Sequence, residues 1–336
     1  MPSTRDERDD MDELTAFGVR LEDDGPHPFD PTVEWWNESW FWDWVDPDGE
    51  IAGHCRIGLH PVQQRAWIWL YLYRRGEWIV IDEPRLPYAE IDVPRLRYDR
   101  FGLRFSWDVA QRLRRGHLRV EGFGRVLAGP RRGWIVPVGV DLEVTTVGPA
   151  HGIGRSTTPG HGSDTYEASR FEQPISLDGR IRFADQELPF TGRGERDHSW
   201  GPRFWNIEWT FVAVGSDDLR LQCAEARVPN AGRFALGYVL RERMTAISDV
   251  EFDFHFDDDS LERPVSGAFR VRLDDDTSFR GTLETISAAE IDITHTFVPP
   301  CRSIYRRALI RVHRDDGGAP LLGWTEFNYF PGGPPH

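Results

Sequence analysis

The chain has 336 residues and a formal net charge of −15, and 39% of its residues are hydrophobic, including 20 Phe, 14 Trp and 8 Tyr. This apolar and aromatic content excludes a disordered chain and is sufficient for two domains with their own cores. The negative charge argues against nucleic acid and anionic membranes as partners. All 40 basic residues are arginine, which excludes a Schiff-base lysine, a P-loop lysine and a lysine general base.

The cysteines and the N-terminal residues indicate the compartment. The three cysteines are far apart in sequence and form no CxxC pair, which disfavours a disulfide framework or a zinc ribbon. Residues 1–13 are charged and lack an apolar segment, so a disordered tail is predicted there instead of a signal peptide. The longest apolar run, residues 67–73, is too short to span a membrane as a helix. We therefore expect a cytoplasmic protein without stable membrane insertion.

The first stretch with strong patterning follows a polar, proline-rich segment, residues 14–32, which is predicted to be an arm on the surface. Residues 33–44 have the sequence VEWWNESWFWDW, and strand alternation places Glu38 on one face with a row of indoles. Either this face is barrel core and Glu38 pairs with an arginine, or it is the wall of a ligand cavity and Glu38 is a desolvated acid. The second interpretation makes three residues substrate contacts: Trp36, Asn37 and Trp40.

Short alternating segments separated by turn residues run from residue 52 to residue 147 and resume from residue 166 to residue 327. Many short strands at regular spacing are typical of an antiparallel barrel or sandwich, and a barrel can enclose one small ligand. Val109–Arg115 is predicted to be the one short helix of the first half. Gly148–Asp164 is rich in Gly, Pro and His and is predicted to be a linker or a lid, with His151 and His161 solvated. The predicted domains are residues 14–165 and 166–336.

The greatest density of reactive side chains lies in residues 192–205, GRGERDHSWGPRFW. In an extended chain Arg196, His198 and Trp200 share one face, and Asp197 lies on the other. Three neighbours in sequence cannot form a Ser–His–Asp relay, and a cupin-like metal centre would need further histidines. Acid–base chemistry by His198 with a carboxylate, Asp197 or Glu38, remains. The structural alternative is that Asp197 accepts backbone N–H bonds at a turn, His198 is a core histidine and the arginines form ion pairs.

The same stretch carries a resemblance to a known family. Arg196-Asp197-His198-Ser199-Trp200-Gly201, followed by Gly323-Trp324-Thr325-Glu326-Phe327-Asn328, resembles the C-terminal half of the carotenoid 1,2-hydratase (hydroxyneurosporene synthase)/AttH-like superfamily. The approach Gln173-Pro174 and Asp178-Gly179, and upstream Asn37-Glu38-Ser39-Trp40, support it. The resemblance implies an all-β fold of two lipocalin-like antiparallel β-barrels in tandem.

The resemblance also implies hydratase or cyclase activity on isoprenoid or polyketide alkenes, with the active site at His198 and Trp200. Glu225, on the predicted strand 219–228, is taken as the match to the downstream acid of relatives. The chain departs from the hydratase pattern at Arg196, where relatives usually have an aromatic residue. A cation there would oppose carbocation formation if it pointed inward, or would anchor a substrate carboxylate or pyrophosphate.

These observations predict an enzyme without cofactor or metal that acts by acid–base chemistry on a C=C bond of a hydrophobic isoprenoid (terpenoid), steroid or polyketide, as a hydratase, cyclase or isomerase. Indole faces would stabilise the carbocation by roughly 0.5–2 kcal/mol each. The predicted catalytic residues are His198, Asp197, Glu38 and Glu225. The predicted substrate contacts are Trp36, Asn37, Trp40, Trp200, Arg203 and Trp205. A non-catalytic lipocalin-like carrier of a hydrophobic molecule, and a protein-interaction scaffold, stay open as alternatives.

Overall fold

The computed structural model describes residues 13–153, 169–203, 207–228, 232–256, 264–293 and 303–330. The chain divides into two compact units, Met1–Arg203 and Phe204–His336. In both units the described residues form antiparallel strands joined by short turns. The predicted all-β class is therefore confirmed. The predicted disordered tail lies outside the described residues, apart from residue 13.

In the described part of the first unit, one antiparallel sheet contains eleven strands. Their bounds are β1 (Trp36–Val45), β2 (Ile51–His60), β3 (Arg65–Arg74), β4 (Glu77–Pro87), β5 (Arg97–Arg100), β6 (Leu103–Gln111), β7 (Arg115–Ala128), β8 (Ile135–Thr146), β9 (His151–Ile153), β10 (Ser169–Phe183) and β11 (Gln186–Pro202). Short 3-10 helices occupy Leu21–Asp24, Tyr88–Glu90 and Val93–Arg95. The pairing of β4 with β7 closes a ring of eight strands in the order β4-β3-β2-β1-β11-β10-β8-β7.

Alternation along β1 places its indoles in the core of this first unit. Trp40, Trp42 and Trp44 belong to one buried apolar cluster, as strand parity predicts. The opposite face of β1 is buried as well, including Phe41 and Asp43. Because aromatic side chains bury large apolar areas, this strand is a main contributor to the hydrophobic stability of the unit.

The predicted helix Val109–Arg115 is wrong, because this stretch is a β-hairpin. β6 ends at Gln111 and β7 begins at Arg115, with Val109 opposite Gly116 and Gln111 opposite Arg115. Leu113 turns the chain with a φ of 55° and is fully buried. Strand pairing and burial of the leucine therefore outweigh the helix propensity of the intervening Ala, Gln and Arg residues.

The division between the units lies after Arg203 and not at the predicted boundary of 165–166. β10 pairs with β8, and β11 pairs with β1 and β10, so both strands complete the first sheet. Of the predicted linker or lid Gly148–Asp164, residues 154–164, including His161, lie outside the described residues. His151 is not a solvated histidine: it is buried on β9, and burial lowers its pKa to about 4.

The second unit is a closed barrel of eight antiparallel strands in its described part. The strands are β12 (Glu208–Gly215), β13 (Arg220–Val228), β14 (Gly232–Leu240), β15 (Met244–Phe256), β16 (Pro264–Leu273), β17 (Ser278–Glu290), β18 (Ile304–Arg314) and β19 (Leu321–Tyr329). Its core contains Val212, Cys223, Val250, Leu283 and Ile310. Two closed antiparallel strand rings in tandem agree with the architecture that the family resemblance implied. None of the helices in the described ranges has the length and apolarity needed to cross a bilayer.

Candidate functional site

The pairing of β1 with β11 brings His198 and Glu38 together. Trp40 lies opposite His198, and Glu38 lies opposite Trp200. Because alternate residues of a strand share a face, these four side chains project to the same side of the sheet. The two strands approach closely at Gly194, where a Cβ atom would lie only 1.8 Å from the carbonyl oxygen of Asp43.

The hydrogen bonds of His198 restrict its protonation. Its Nδ1 lies 2.7 Å from the backbone carbonyl oxygen of Asp23, and its Nε2 lies 3.1 Å from Glu38 Oε1. A carbonyl oxygen can only accept, so Nδ1 carries a hydrogen and donates it. Between Nε2 and Oε1 there is then one more proton, held by either the imidazole or the carboxyl group. His198 and Glu38 are 1% and 3% exposed, so the pair is shielded from water.

Glu38 accepts two further hydrogen bonds, both from His27. The backbone N–H and the ring Nδ1 of His27 each lie 2.9 Å from Glu38 Oε1. Burial disfavours the charged carboxylate, but the hydrogen bonds and charges of His198 and His27 outweigh it, so the pKa of Glu38 is lowered from its ordinary value. This shift is opposite to the raised pKa expected of an acid in an apolar cavity. The lowered pKa favours the ionised form of the Glu38 carboxyl group.

Aromatic rings surround the imidazole of His198. Trp40 stacks on it with ring centroids 4.3 Å apart, and Trp200 lies 5.0 Å away. Phe171 contacts it edge-on at 5.8 Å. His27 in turn stacks on Trp200, with centroids 3.9 Å apart and planes 8° apart. Indole faces stabilise cations, so this environment favours positive charge on or next to the imidazole.

Residues 21–27, which we call the strap, cover this cluster. The strap supplies the Asp23 carbonyl for His198 and the His27 groups that bind Glu38. Asp23 and Asp24 are 1% and 3% exposed, so this part of the predicted surface arm is buried. Asp24 Oδ2 also accepts a 2.6 Å hydrogen bond from the backbone N–H of Leu113 in the β6–β7 turn. Sequence reasoning missed His27, because nothing near it in the chain indicates a partner.

Arg196 does not point at an open cavity as a free cation. Its Nη1 donates to Asp24 Oδ1 at 2.7 Å, and its Nε and Nη2 donate to Gln173 Oε1 at 3.0 and 2.6 Å. The Arg196 charge is therefore compensated by Asp24 within the protein. Either role inferred from the sequence would require Arg196 to leave these partners.

Asp197 lies on the opposite face from His198, as parity predicts. Arg170 Nη2 donates to Asp197 Oδ2 at 2.9 Å, and Arg170 Nε donates to Glu172 Oε1 at 2.7 Å. Burial raises the pKa of Glu172 to about 8, with the charge of Arg170 acting against the shift. Asp197 lies within β11 and not at a turn, and it is part of this second charged cluster.

The other predicted site residues that the structure describes have contacts of their own. Asn37, on the opposite face of β1, accepts a 3.2 Å hydrogen bond from Arg56 Nη2. Trp36 begins β1, and the backbone N–H of Arg203 donates to Trp35 just before it. On β13 of the second unit, the Glu225 carboxylate binds two guanidinium groups, at 2.8 and 2.7 Å, those of Arg227 and Arg233. Trp205 lies outside the described residues.

A cavity of about 260 Å³ lies beside the cluster in the first unit. Trp40, which stacks on His198, forms one wall, and Trp107 of β6 is another lining residue. The strap contributes Asp24, Gly25 and Pro26. A small molecule in this cavity would be separated from the imidazole of His198 by the Trp40 indole and the strap.

Among the described residues, His27, Glu38 and His198 also form a set that could hold a metal ion, with ligand atoms within 4.8 Å of one another. The sequence argument against a metal rested on spacing and did not anticipate this set. Here His27 Nδ1, His198 Nε2 and the His27 backbone N–H all lie at hydrogen-bond distance from Glu38 Oε1. A zinc ion bound by this set would lie about 2.0–2.2 Å from each ligand atom. In the structure the same atoms are joined by hydrogen bonds between the Glu38 carboxylate and N–H donors.

Comparison with known proteins supports the architecture. The family model described as "Domain of unknown function (DUF7064)" matches residues 20–331, and no curated protein matches the chain. An AttH candidate from Nitrosomonas europaea has a TM-score of 0.62 at 13% identity, covering 91% of this chain and 95% of that chain. Kievitone hydratase from Nectria haematococca has a TM-score of 0.57 at 9% identity, covering 94% of this chain and 95% of that chain. The structure of CghA with Sch210972 has a TM-score of 0.51 at 12% identity, covering 87% of each chain. The AttH-like resemblance is confirmed, and at these identities it concerns the fold.

Proposed function

We propose that this chain, which belongs to the family described as a domain of unknown function (DUF7064), is an acid–base enzyme acting at a C=C bond of a small hydrophobic molecule. His198 is the proton donor and Glu38 is its counter-ion. The proposal covers hydration, cyclisation and isomerisation, since each can begin with protonation of an alkene.

The proposal depends on the proton bound to His198 Nε2. Nδ1 is committed to the Asp23 carbonyl, so the only proton that His198 can transfer lies on Nε2, facing Glu38. Glu38 is held ionised by His27 and can stabilise the imidazolium before transfer and receive a proton afterwards. A positioned general acid of this kind contributes about 10²- to 10⁴-fold to a rate.

The surroundings of the pair suit a cationic intermediate. Trp40 and Trp200 flank the imidazole, and each indole stabilises a nearby cation by roughly 0.5–2 kcal/mol. Water, an internal alkene or loss of a proton would then decide the product. The name of one structural neighbour, kievitone hydratase, is in keeping with this chemistry. Substrate reaches Nε2 only if Trp40 or the strap moves, and such gating movements are common in enzymes.

A carrier of a hydrophobic small molecule is the second candidate. The observation in its favour is that His198 and Glu38 are almost fully buried beneath the strap. A protein that only binds its ligand would not need these groups to reach it.

The experiment incubates the full chain with a pool of linear prenyl alcohols, terpenoids and steroids and compares extracted masses and retention times with a no-protein control. We compare wild type with His198→Gln, whose amide group is polar but cannot act as a general acid. The control is His117→Gln, which changes a histidine bound to Asp141 at the surface of the first unit. We expect a product heavier by one water, or an isomer, with wild type and control. His198→Gln should lower the rate at least about 100-fold.

Two results would decide against this proposal. Turnover by His198→Gln at the wild-type rate would remove His198 as the acid. Ligand that is enriched but unchanged by both proteins would favour the carrier.

A further inference from the structure

The cavity beside Trp40 has a chemistry that the acid–base pair does not use. Its apolar lining consists of two indoles and aliphatic or proline side chains: Trp40, Trp107, Pro26, Pro94, Leu96 and Val109. At about 260 Å³ it lies just below the usual range of roughly 300–1,000 Å³ for drug-sized ligands. The occupant is therefore a small molecule with an apolar part.

Four charged side chains also line the cavity, and three of them have an ion partner. Asp24 binds Arg196 at 2.7 Å. Arg95 binds Asp92 at 3.1 Å. Asp108 binds Arg97 at 2.5 Å. Because these charges are matched within the protein, they add little net field to the cavity.

Arg112 is the exception. Its Nη1 donates to the backbone carbonyls of Leu21 and Glu22, at 3.1 Å each. No carboxylate in the described part of the chain pairs with it. Arg112 is also exposed to solvent. The cavity therefore presents one cation that has no carboxylate partner among the described residues.

We infer that this cavity binds a small amphipathic carboxylate, with its apolar chain against Trp40 and Trp107 and its carboxylate on Arg112. A carboxylate forms charge-assisted, often bidentate hydrogen bonds with guanidinium, and these are roughly twice as strong as bonds between neutral groups. The ligand would therefore compete well with the two carbonyls for Arg112. The indole walls bury the hydrocarbon part without demanding a particular shape.

The inference names the ligand class of the cavity beside the proposed active site, and it rests on the proposed function only where that ligand is called the substrate. Binding can be measured without turnover. A chain that binds the carboxylate but converts nothing would overturn the enzyme proposal and support this inference. A chain that converts neutral alkenes and shows no preference for a carboxylate would support the enzyme proposal and overturn this inference.

The test measures binding of octanoate and octanol to the full chain by isothermal titration calorimetry. The two probes share their apolar chain and differ in the head group. We expect wild type to bind octanoate at least about tenfold more tightly, with a preference that weakens as salt is added. Arg112→Gln should bind the two probes about equally. The control Arg75→Gln, which changes an arginine that is paired with Glu50 and does not line the cavity, should keep the wild-type preference.

Arg112→Lys distinguishes the loss of the positive charge from a folding defect. This control is needed because Arg112 also holds the strap through Leu21 and Glu22. This variant keeps the charge and should retain a preference for octanoate, although a smaller one. Equal affinities of wild type for the two probes, or an unchanged preference in folded Arg112→Gln, would overturn the inference.

Discussion

Replacing Glu38 by Gln tests whether the carboxylate is held ionised by the two histidines. Gln has the same size and keeps one oxygen that can accept hydrogen bonds from His27. It removes the negative charge opposite His198 Nε2. We therefore expect Glu38→Gln to fold but to be less stable than wild type at pH 7.

The magnitude follows from the three hydrogen bonds that end on Glu38 Oε1, from the His27 backbone, His27 Nδ1 and His198 Nε2. A hydrogen bond to a charged group contributes about 1.5–3 kcal/mol and a neutral one about 0.5–1.5 kcal/mol, so three bonds would lose about 3 kcal/mol. Removing the buried charge recovers part of its desolvation cost. We expect a net loss of about 1–3 kcal/mol.

The loss should depend on pH with a definite sign. The pKa of Glu38 is lowered in the folded chain, relative to about 4.3 in an unfolded one. Its contribution is present above the unfolded pKa and is lost as pH falls through the folded pKa. Gln does not titrate, so the difference between wild type and Glu38→Gln should be full at pH 7 and should shrink below about pH 4.

The assay is hydrogen exchange of peptides from β1 and β11 in the full chain, which reports the stability of the first unit separately from the second. Exchange is measured at pH 7 and at pH 3.5 and corrected for the intrinsic exchange rate at each pH. The stability difference between wild type and Glu38→Gln is then compared between the two pH values. Glu50→Gln is the control, because its ion pair with Arg75 is exposed and exposed pairs contribute little to stability. A variant as stable as wild type at pH 7, or a loss that persists unchanged at pH 3.5, would refute the reasoning.

Two further predictions concern the support of the site. Arg196→Met leaves Asp24 buried without its cation and should lower the free energy of unfolding by about 3–5 kcal/mol, whereas Asp24→Asn combined with Arg196→Met should lower it less. Urea unfolding of the variants measures both losses. Equal losses would contradict the pairing. Gly194→Ala places a Cβ 1.8 Å from the Asp43 carbonyl and should cost at least about 3 kcal/mol by separating β1 from β11. Gly25→Ala, whose Cβ would meet its nearest atoms at 3.4 Å, should change stability by less than about 1 kcal/mol in the same assay.

Strand parity could be predicted from the sequence because alternation is a local property of the chain. It placed His198 with Trp200 and Glu38 with Trp40, and the register of β1 with β11 joins the two sets. It also separated Asp197 from His198, and the Asp197 carboxylate binds Arg170. The family resemblance supplied the tandem architecture, which alternation alone leaves undecided between barrel and sandwich.

The strap could not be predicted, because its burial depends on contacts that are distant in sequence. Residues 21–27 consist mostly of Asp, Gly, Pro and His, a composition typical of surface turns. His198, which binds the Asp23 carbonyl, is 175 positions away. The pKa direction of Glu38 was missed for the same reason, since the expected desolvation is present but His27 and His198 outweigh it.

The domain boundary was misplaced for a different physical reason. A Gly- and Pro-rich segment such as 148–164 breaks strand patterning, and a break in pattern is the usual sign of a linker. Strand pairing is not visible in that pattern. β10 and β11 return across the break to pair with β8 and β1, so the break lies inside one sheet.

The strap and β11 together explain how charged groups remain inside an apolar unit. Asp24 compensates Arg196, and the Asp23 carbonyl accepts from His198, so the strap provides acceptors for these two side chains of β11. A buried cation without an acceptor is costly. Any ligand that displaces the strap must therefore bring acceptors of its own. A carboxylate supplies such acceptors, and at the cavity it would bind Arg112, which holds the strap through the carbonyl oxygens of Leu21 and Glu22.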